Sequence, residues 1–191
     1  MQRILILLLA ALCVASCGRR RSAPSQDTAA SDTRPRVFLP AIAPSGLSPD
    51  EQRDYLREHY WDRFDFADTL FTTGADTLQM VEAYARYIAL ISDRPTDGAP
   101  IDSLMRRASA SRKMLDYFSM LAERVLHDPN SPLRNDEFYI PVLEAQLRAP
   151  WYDEYERIAP QYDLEMAMQN RLGHPANEFR YTLASGASVT L

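Results

Sequence analysis

Apolar residues recur at helical spacing through the middle of the chain and predict a series of amphipathic helices. The first helix has a clear start signal. Ser48 is suited to cap it, Pro49 fits its first position, and Glu51 stands at the position that completes a capping box. The apolar face predicted for this helix consists of Leu56, Tyr60 and Phe64.

Two more helices are predicted in the central part of the chain. Asp76 together with Gln79 indicates the start of the second, which ends before Pro95 because a residue preceding proline avoids helical backbone angles. The third is predicted as one long helix over residues 101–126. Its apolar stripe consists of Leu104, Ala108, Leu115, Phe118, Ala122 and Val125.

A fourth helix follows the turn sequence Asp-Pro-Asn-Ser-Pro at 128–132. Either Asn135 or Asp136 is predicted to cap this helix, which runs to Leu147. Pro141 lies inside it and is expected to kink it or delay its start, because proline lacks a backbone N–H.

The hydrophobic period changes at Gly173. Before it, a fifth helical stretch covers 151–172 and is expected to break at Pro160, and Gly173 suits a helix end. After it, apolar residues alternate on both sides of a Ser-Gly turn and predict a β-hairpin. The sequence therefore predicts a mostly α fold, an irregular helical bundle of about five helices over 48–172, followed by a short β-hairpin within 173–191.

The N-terminus has another pattern, typical of an export signal. Arg3 precedes an apolar run at 4–12, and small residues then lead to Cys17. Residues 4–16 are too few to cross a hydrocarbon core of ~30 Å, which argues against an uncleaved transmembrane helix. The small residues before Cys17 resemble the lipobox of bacterial lipoproteins, which implies a signal peptide at 1–16 and a diacylglycerol on the Cys17 thiol. We expect a protein of the cell envelope, anchored to membrane lipid through Cys17 and facing the periplasm.

The segment between this signal and the first helix has the composition of a spacer. Residues 17–47 are rich in Ser, Ala, Thr and Pro, and such a segment does not bury enough apolar area to fold by itself. We expect it to form a lipid-anchored flexible linker ahead of the helical domain.

Charge and cysteine usage narrow the possible functions. The formal net charge is −5 and no basic stripe is present, which argues against a nucleic-acid partner. The two cysteines are Cys13, inside the signal, and Cys17. The mature chain is therefore expected to contain no disulfide and no cysteine-based metal site.

Motifs that would indicate catalysis are not recognisable. The sequence shows no nucleophile elbow, phosphate loop or paired catalytic carboxylates. Its histidines are far apart and show no metal-binding spacing: His59, His127 and His174. We predict no catalytic residue, no metal site and no cofactor for this chain.

Aromatic residues provide the candidate binding residues, Tyr60, Trp61 and Trp151. Such side chains are able to line a groove for a protein or peptide partner in the envelope. At helical spacing they more often belong to the hydrophobic core, and this second interpretation is favoured.

Three stretches together resemble a helical domain of unknown function that precedes a thioredoxin-like domain in envelope lipoproteins of Gram-negative bacteria. They are DYLREHYWDRFDFADT at 54–69, DPNSPLRNDEFYIPVLE at 128–144 and NRLGHPANEFRYTLASG at 170–186. The last stretch also resembles the entry to thioredoxin-like proteins, through the order Gly173, Ala176, Phe179, Gly186 and Leu191. The resemblance implies that 173–191 is the start of a thioredoxin-like domain, mostly missing from this chain. No redox residue is carried over.

Two functions remain open at this level. The resemblance implies a lipid-anchored envelope module that is accessory to a thioredoxin-like thiol–disulfide domain. The alternative is a non-catalytic binding or scaffold module of the cell envelope. In both cases the chain itself is expected not to be an enzyme, whereas a longer parent protein under the first function is a possible thiol–disulfide oxidoreductase.

Overall fold

The computed structural model describes residues 36–93, 98–169, 171, 173–175 and 178–190. All of them belong to one compact unit that spans Arg34–Leu191. The predicted signal peptide at 1–16, the predicted lipidation site Cys17 and the first part of the predicted linker lie outside the described residues.

Over these residues the chain is mostly α-helical and ends in a short hairpin, which confirms the predicted fold class, with more helices than the expected five or so. The elements are α1 Pro49–His59, α2 Phe71–Gly74, α3 Thr77–Ile91, α4 Ala99–Ala108, α5 Arg112–Ala122, a π-helix Glu123–His127, α6 Asp136–Arg148, α7 Ile158–Gln169, β1 Arg180–Thr182 and β2 Ser188–Thr190. None of the helices in the described part of the chain combines the length and apolar character needed to cross a membrane.

The caps predicted for α1 and α3 are present. Ser48 accepts a hydrogen bond from the Glu51 backbone N–H, and the Glu51 carboxylate accepts one from the Ser48 backbone N–H at 2.8 Å. At α3, the Asp76 carboxylate accepts from the first-turn N–H groups of Leu78 and Gln79. These side chains satisfy N–H groups that have no partner within the helix.

The prediction of one long helix over 101–126 is wrong, because the chain breaks at Ser109–Ser111. The Ser109 hydroxyl donates back to the Met105 carbonyl at 2.7 Å, and the Ser111 side chain accepts from the Met114 N–H at 3.2 Å as the cap of α5. Serine thus ends one helix and starts the next by hydrogen bonds that compete with the helical ladder. The predicted apolar stripe is nevertheless buried throughout: Leu104, Ala108, Leu115, Phe118, Ala122 and Val125.

Two prolines lie inside helices, and their effects differ from each other. The kink expected at Pro141 stays a prediction. Pro141 lies inside α6, which is capped by Asn135 and starts at Asp136 without delay. Pro160 does not break the last helix as predicted. It lies in the first turn of α7, where a backbone N–H would have no helical partner in any case.

Gly98 allows α4 and α6 to approach closely. Its φ is +79°, and a Cβ at this position would lie 3.0 Å from Pro141 Cγ and 3.1 Å from the Glu137 carbonyl oxygen. Both the left-handed backbone and the lack of space favour glycine here.

The core is centred on a cluster of aromatic rings. Trp61 packs edge-to-face against Phe118 with the ring centroids 5.3 Å apart, and Phe64 packs against Phe118 at 5.2 Å. Phe38, which precedes α1 and falls within the predicted linker, stacks on Trp61 at 4.7 Å and is buried. The Gln79 amide also donates to the Phe38 carbonyl at 2.8 Å. The folded unit therefore includes residues on the N-terminal side of Ser48.

The C-terminal hairpin is antiparallel, with Tyr181 opposite Val189. Gly186 has a φ of +84° in its turn. Phe179 is 54% exposed and Tyr181 is 41% exposed, so both aromatic rings of the hairpin keep substantial contact with solvent. The domain boundary near Gly173 stays a prediction.

Candidate functional site

A cleft of about 440 Å³ is lined by side chains of α5, the π-helix, α6 and α7, and by the loop that precedes α7. Its volume falls in the range of ~300–1,000 Å³ that is common for ligand sites. The cleft is lined by four carboxylates and a guanidinium: Asp116, Glu123, Glu156 and Asp163, with Arg112.

One part of the cleft is formed by an ion-pair network around Arg112. This guanidinium pairs with Glu156, approaches Asp116 at 3.6 Å and donates to the Trp151 carbonyl at 3.2 Å. It also lies 5.5 Å from the ring centroid of Tyr152, within cation–π range. The hydrogen bond to Glu156 raises the pKa of Arg112. The donors of Arg112 are thus largely engaged by residues of the chain itself.

Tyr152 extends this network. Its hydroxyl donates to Asp116 at 2.5 Å. Partial burial, followed by this bond to a carboxylate, raises the pKa of Tyr152 well above its usual range. The hydroxyl therefore keeps its proton at physiological pH and acts as a hydrogen-bond donor.

We call the part of the cleft that contains Tyr139, Glu123 and Asp163 its open end, because neither carboxylate forms an ion pair within the described residues. Tyr139 is only 5% exposed, and its hydroxyl has no hydrogen-bond partner among the residues that the structure describes. Burial raises the pKa of Tyr139, and the nearby charges of Glu123 and Asp163 raise it further. Both carboxylates therefore lie within electrostatic reach of this hydroxyl.

The π-helix shapes this end of the cleft. The Asp128 N–H donates to the Glu123 carbonyl at 2.9 Å, closing a wide turn directly after α5. The His127 ring stacks on Tyr139, with the centroids 4.6 Å apart and the planes inclined by 16°. A π-helical turn often occurs at functional sites, and here it carries both Glu123 and the ring that supports Tyr139.

The candidate binding residues from the sequence are not among the residues that line this cleft. Tyr60 is buried and donates to the Ala83 carbonyl at 2.9 Å, and Trp61 is buried in the aromatic core. Trp61 also borders a smaller cleft of about 280 Å³ with Arg107, which donates to the Trp61 carbonyl at 3.0 Å. Trp151 is partly buried, and its carbonyl accepts the bond from Arg112. A binding role for these three residues stays a prediction.

Sequence reasoning missed the residues of the open end. Glu123, Tyr139 and Asp163 come from three different helices and have no motif spacing in the sequence. Among the residues described, no three or more His, Cys, Asp or Glu side chains gather as metal ligands would.

Comparison with known proteins gives one solved structure at substantial similarity. The crystal structure of a thioredoxin-like protein from Bacteroides caccae ATCC 43185 is similar, with a TM-score of 0.68 and 39% sequence identity. The similar region covers 81% of this chain and 56% of that protein, so this chain spans little more than half of its length. No protein with a curated description matches. The family described as Domain of unknown function (DUF5106) matches residues 16–170, and the chain belongs to this family.

Proposed function

We propose that this chain is the helical module of a lipid-anchored cell-envelope protein, and that the module is accessory to a thioredoxin-like thiol–disulfide domain. In this proposal Cys17 attaches the protein to membrane lipid, residues 18–35 hold it away from the membrane surface, and the helical unit positions partners for the redox domain.

The observation that carries the proposal is where the family match ends. The match with the helical family stops at residue 170, and the segment beyond it changes from helix to hairpin. The similar protein from Bacteroides caccae is described as thioredoxin-like, and 44% of it lies outside the similar region. These observations support a second domain of thioredoxin type next to the helical unit.

The hairpin is consistent with this arrangement. A two-stranded hairpin is only marginally stable by itself in water, and its open edges favour pairing with further strands. Phe179 and Tyr181, both about half exposed here, have the apolar character expected of residues that pack in a larger sheet.

Lipid attachment is tested by Cys17→Ala. We expect the wild-type protein to fractionate with membranes as a processed, acylated form, and the variant to accumulate as uncleaved precursor. Cys13→Ala is the matched control, because it changes a cysteine inside the same signal and should leave processing intact. An acylated, processed Cys17→Ala protein in the membrane fraction would refute the anchor.

The redox part is tested separately by reading the coding sequence past the codon for Leu191. A Cys-x-x-Cys pair within the next ~100 codons supports the thiol–disulfide assignment, since a thioredoxin-like domain needs about that length. If the pair is missing, a scaffold role in the envelope is the better interpretation.

A further inference from the structure

The open end of the cleft has an unbalanced negative charge. Of the cleft's charged side chains, Arg112 is the cation, and it already binds Glu156 and Asp116. Glu123 and Asp163 have no ion pair within the described part of the chain. The open end of the cleft therefore attracts a positive group.

A hydroxyl without a protein partner points to the same conclusion independently of charge. Tyr139 is more than nine-tenths buried and lines the cleft, yet its hydroxyl makes no hydrogen bond to any described residue. The hydroxyl is therefore free to bond to a ligand in the cleft. Because the hydroxyl oxygen is an acceptor, an N–H donor is able to bond to it.

We propose that this end of the cleft binds the cationic side chain of a lysine or arginine in an extended polypeptide segment. The N–H groups of the cation donate to the carboxylates of Glu123 and Asp163 and to the hydroxyl oxygen of Tyr139. The methylene stem packs over Ala159 and Pro160, which also line the cleft.

Two features favour a peptide side chain over a bare metal ion or a small free amine. The carboxylates do not gather as a metal site does among the described residues. The cleft also carries Gln146, whose amide has both a donor and an acceptor and so matches the N–H and C=O of a peptide backbone. This proposal is independent of lipid attachment and of any redox domain.

In the experiment, the full chain is titrated with three blocked tripeptides, and binding is measured by NMR or calorimetry. Acetyl-Ala-Lys-Ala-amide and acetyl-Ala-Arg-Ala-amide carry the cation, and acetyl-Ala-norleucine-Ala-amide has a stem of similar length without the charge. We expect the two cationic peptides to bind and the norleucine peptide to bind more weakly. Raising the ionic strength to about 0.5 M should weaken the cationic peptides, because salt screens partly exposed charges.

Variants locate the site. Glu123→Gln and Asp163→Asn should each weaken the lysine peptide about three-fold, in line with partly exposed ion pairs. Tyr139→Phe should also weaken it while keeping the ring that stacks on His127. The matched control is Glu165→Gln. Glu165 is an exposed acid on α7, the helix that also carries Asp163, but it lies outside the cleft and accepts a hydrogen bond from Gln161.

Three outcomes would overturn the proposal. Equal binding of the norleucine peptide would remove the role of the cation. An equal effect of Glu165→Gln would show that the helix charge, not the cleft, attracts the peptide. If spermidine binds as tightly as the lysine peptide, the ligand is a free amine and the peptide assignment is wrong.

Discussion

Aromatic side chains lie in the helical core and in the C-terminal hairpin, but their surroundings differ sharply. Trp61 is 3% exposed and Phe118 is fully buried, each in contact with several other rings. In the hairpin, the rings of Phe179 and Tyr181 pack on each other with their centroids 5.6 Å apart, and both residues remain about half exposed. The same residue types thus contribute to a closed core in one region and to an open surface in the other.

This difference shows which part of the chain is able to bury its own apolar side chains. Burial of an aromatic ring among other rings removes a large apolar area from water and adds favourable edge-to-face contacts. The rings of the helical unit are buried and make many edge-to-face contacts, whereas the hairpin rings are about half exposed and contact each other. This contrast supports the proposal that the hairpin belongs with further strands of a second domain.

The largest expected effect comes from breaking the core at its centre. Phe118→Ala removes a ring that contacts Trp61, Phe64 and Phe66, and it leaves a cavity. We expect the free energy of unfolding to fall by about 3–5 kcal/mol. Urea denaturation of the full chain, followed by tryptophan fluorescence, measures this loss.

The matched control is Leu78→Ala on α3. Leu78 is 66% exposed, and its replacement should change the free energy of unfolding by less than about 0.5 kcal/mol. If both variants lose the same amount, the ring cluster is not the centre of stability and the contrast between the two regions fails.

Local helix signals and periodicity could be predicted from the sequence because they depend on near neighbours. The Ser48 and Asp76 caps are made within three residues, and the stripe through Leu104 and Phe118 follows from helical repeat alone. The hairpin was predictable for the same reason, since alternation and a glycine turn are local patterns.

The break at Ser109–Ser111 and the cleft could not be predicted in the same way. Serine is tolerated in helices, so only the hydrogen bonds of the folded chain show that it ends one helix here. The open end of the cleft brings Glu123 and Asp163 together from positions 40 residues apart, through a π-helical turn that has no sequence signature. Such a site depends on tertiary packing, which periodicity does not specify.

A smaller effect is expected where the helical unit meets the C-terminal segment. Arg171 forms a two-pronged ion pair with Glu137 at the start of α6, with N–O distances of 2.7 and 3.0 Å. The hydrogen bond from Arg171 lowers the pKa of the Glu137 carboxyl below its ordinary 4.5. A carboxyl whose pKa is lowered by folding stabilises the folded state above its ordinary pKa, and this contribution is lost as the pH falls through the lowered value.

We therefore expect the Arg171–Glu137 contact to be intact at neutral pH and to weaken below about pH 4.5, at a cost of up to ~1 kcal/mol because the pair is partly exposed. Carboxyl titration of Glu137 by NMR measures the pKa directly. Arg171→Met should return this pKa towards its ordinary value, whereas Arg134→Met, a change of another arginine near the start of α6, should leave it nearly unchanged. A Glu137 carboxyl that titrates normally in the unmodified protein would show that the contact is not formed in solution.

The smallest expected effect is at the hairpin, where the comparison is sharpest. Phe179→Ser combined with Tyr181→Ser removes two aromatic rings, whereas the core experiment at Phe118 removes one. Because these rings are already about half exposed, we expect the free energy of unfolding of the helical unit to change by less than about 0.5 kcal/mol. Urea denaturation monitored by tryptophan fluorescence reports on the helical unit alone, because both tryptophans, Trp61 and Trp151, lie before the hairpin. A loss above about 2 kcal/mol would mean that the hairpin rings are buried against the helices in solution. The hairpin would then be part of the helical domain, and the proposed boundary near Gly173 would lose its support.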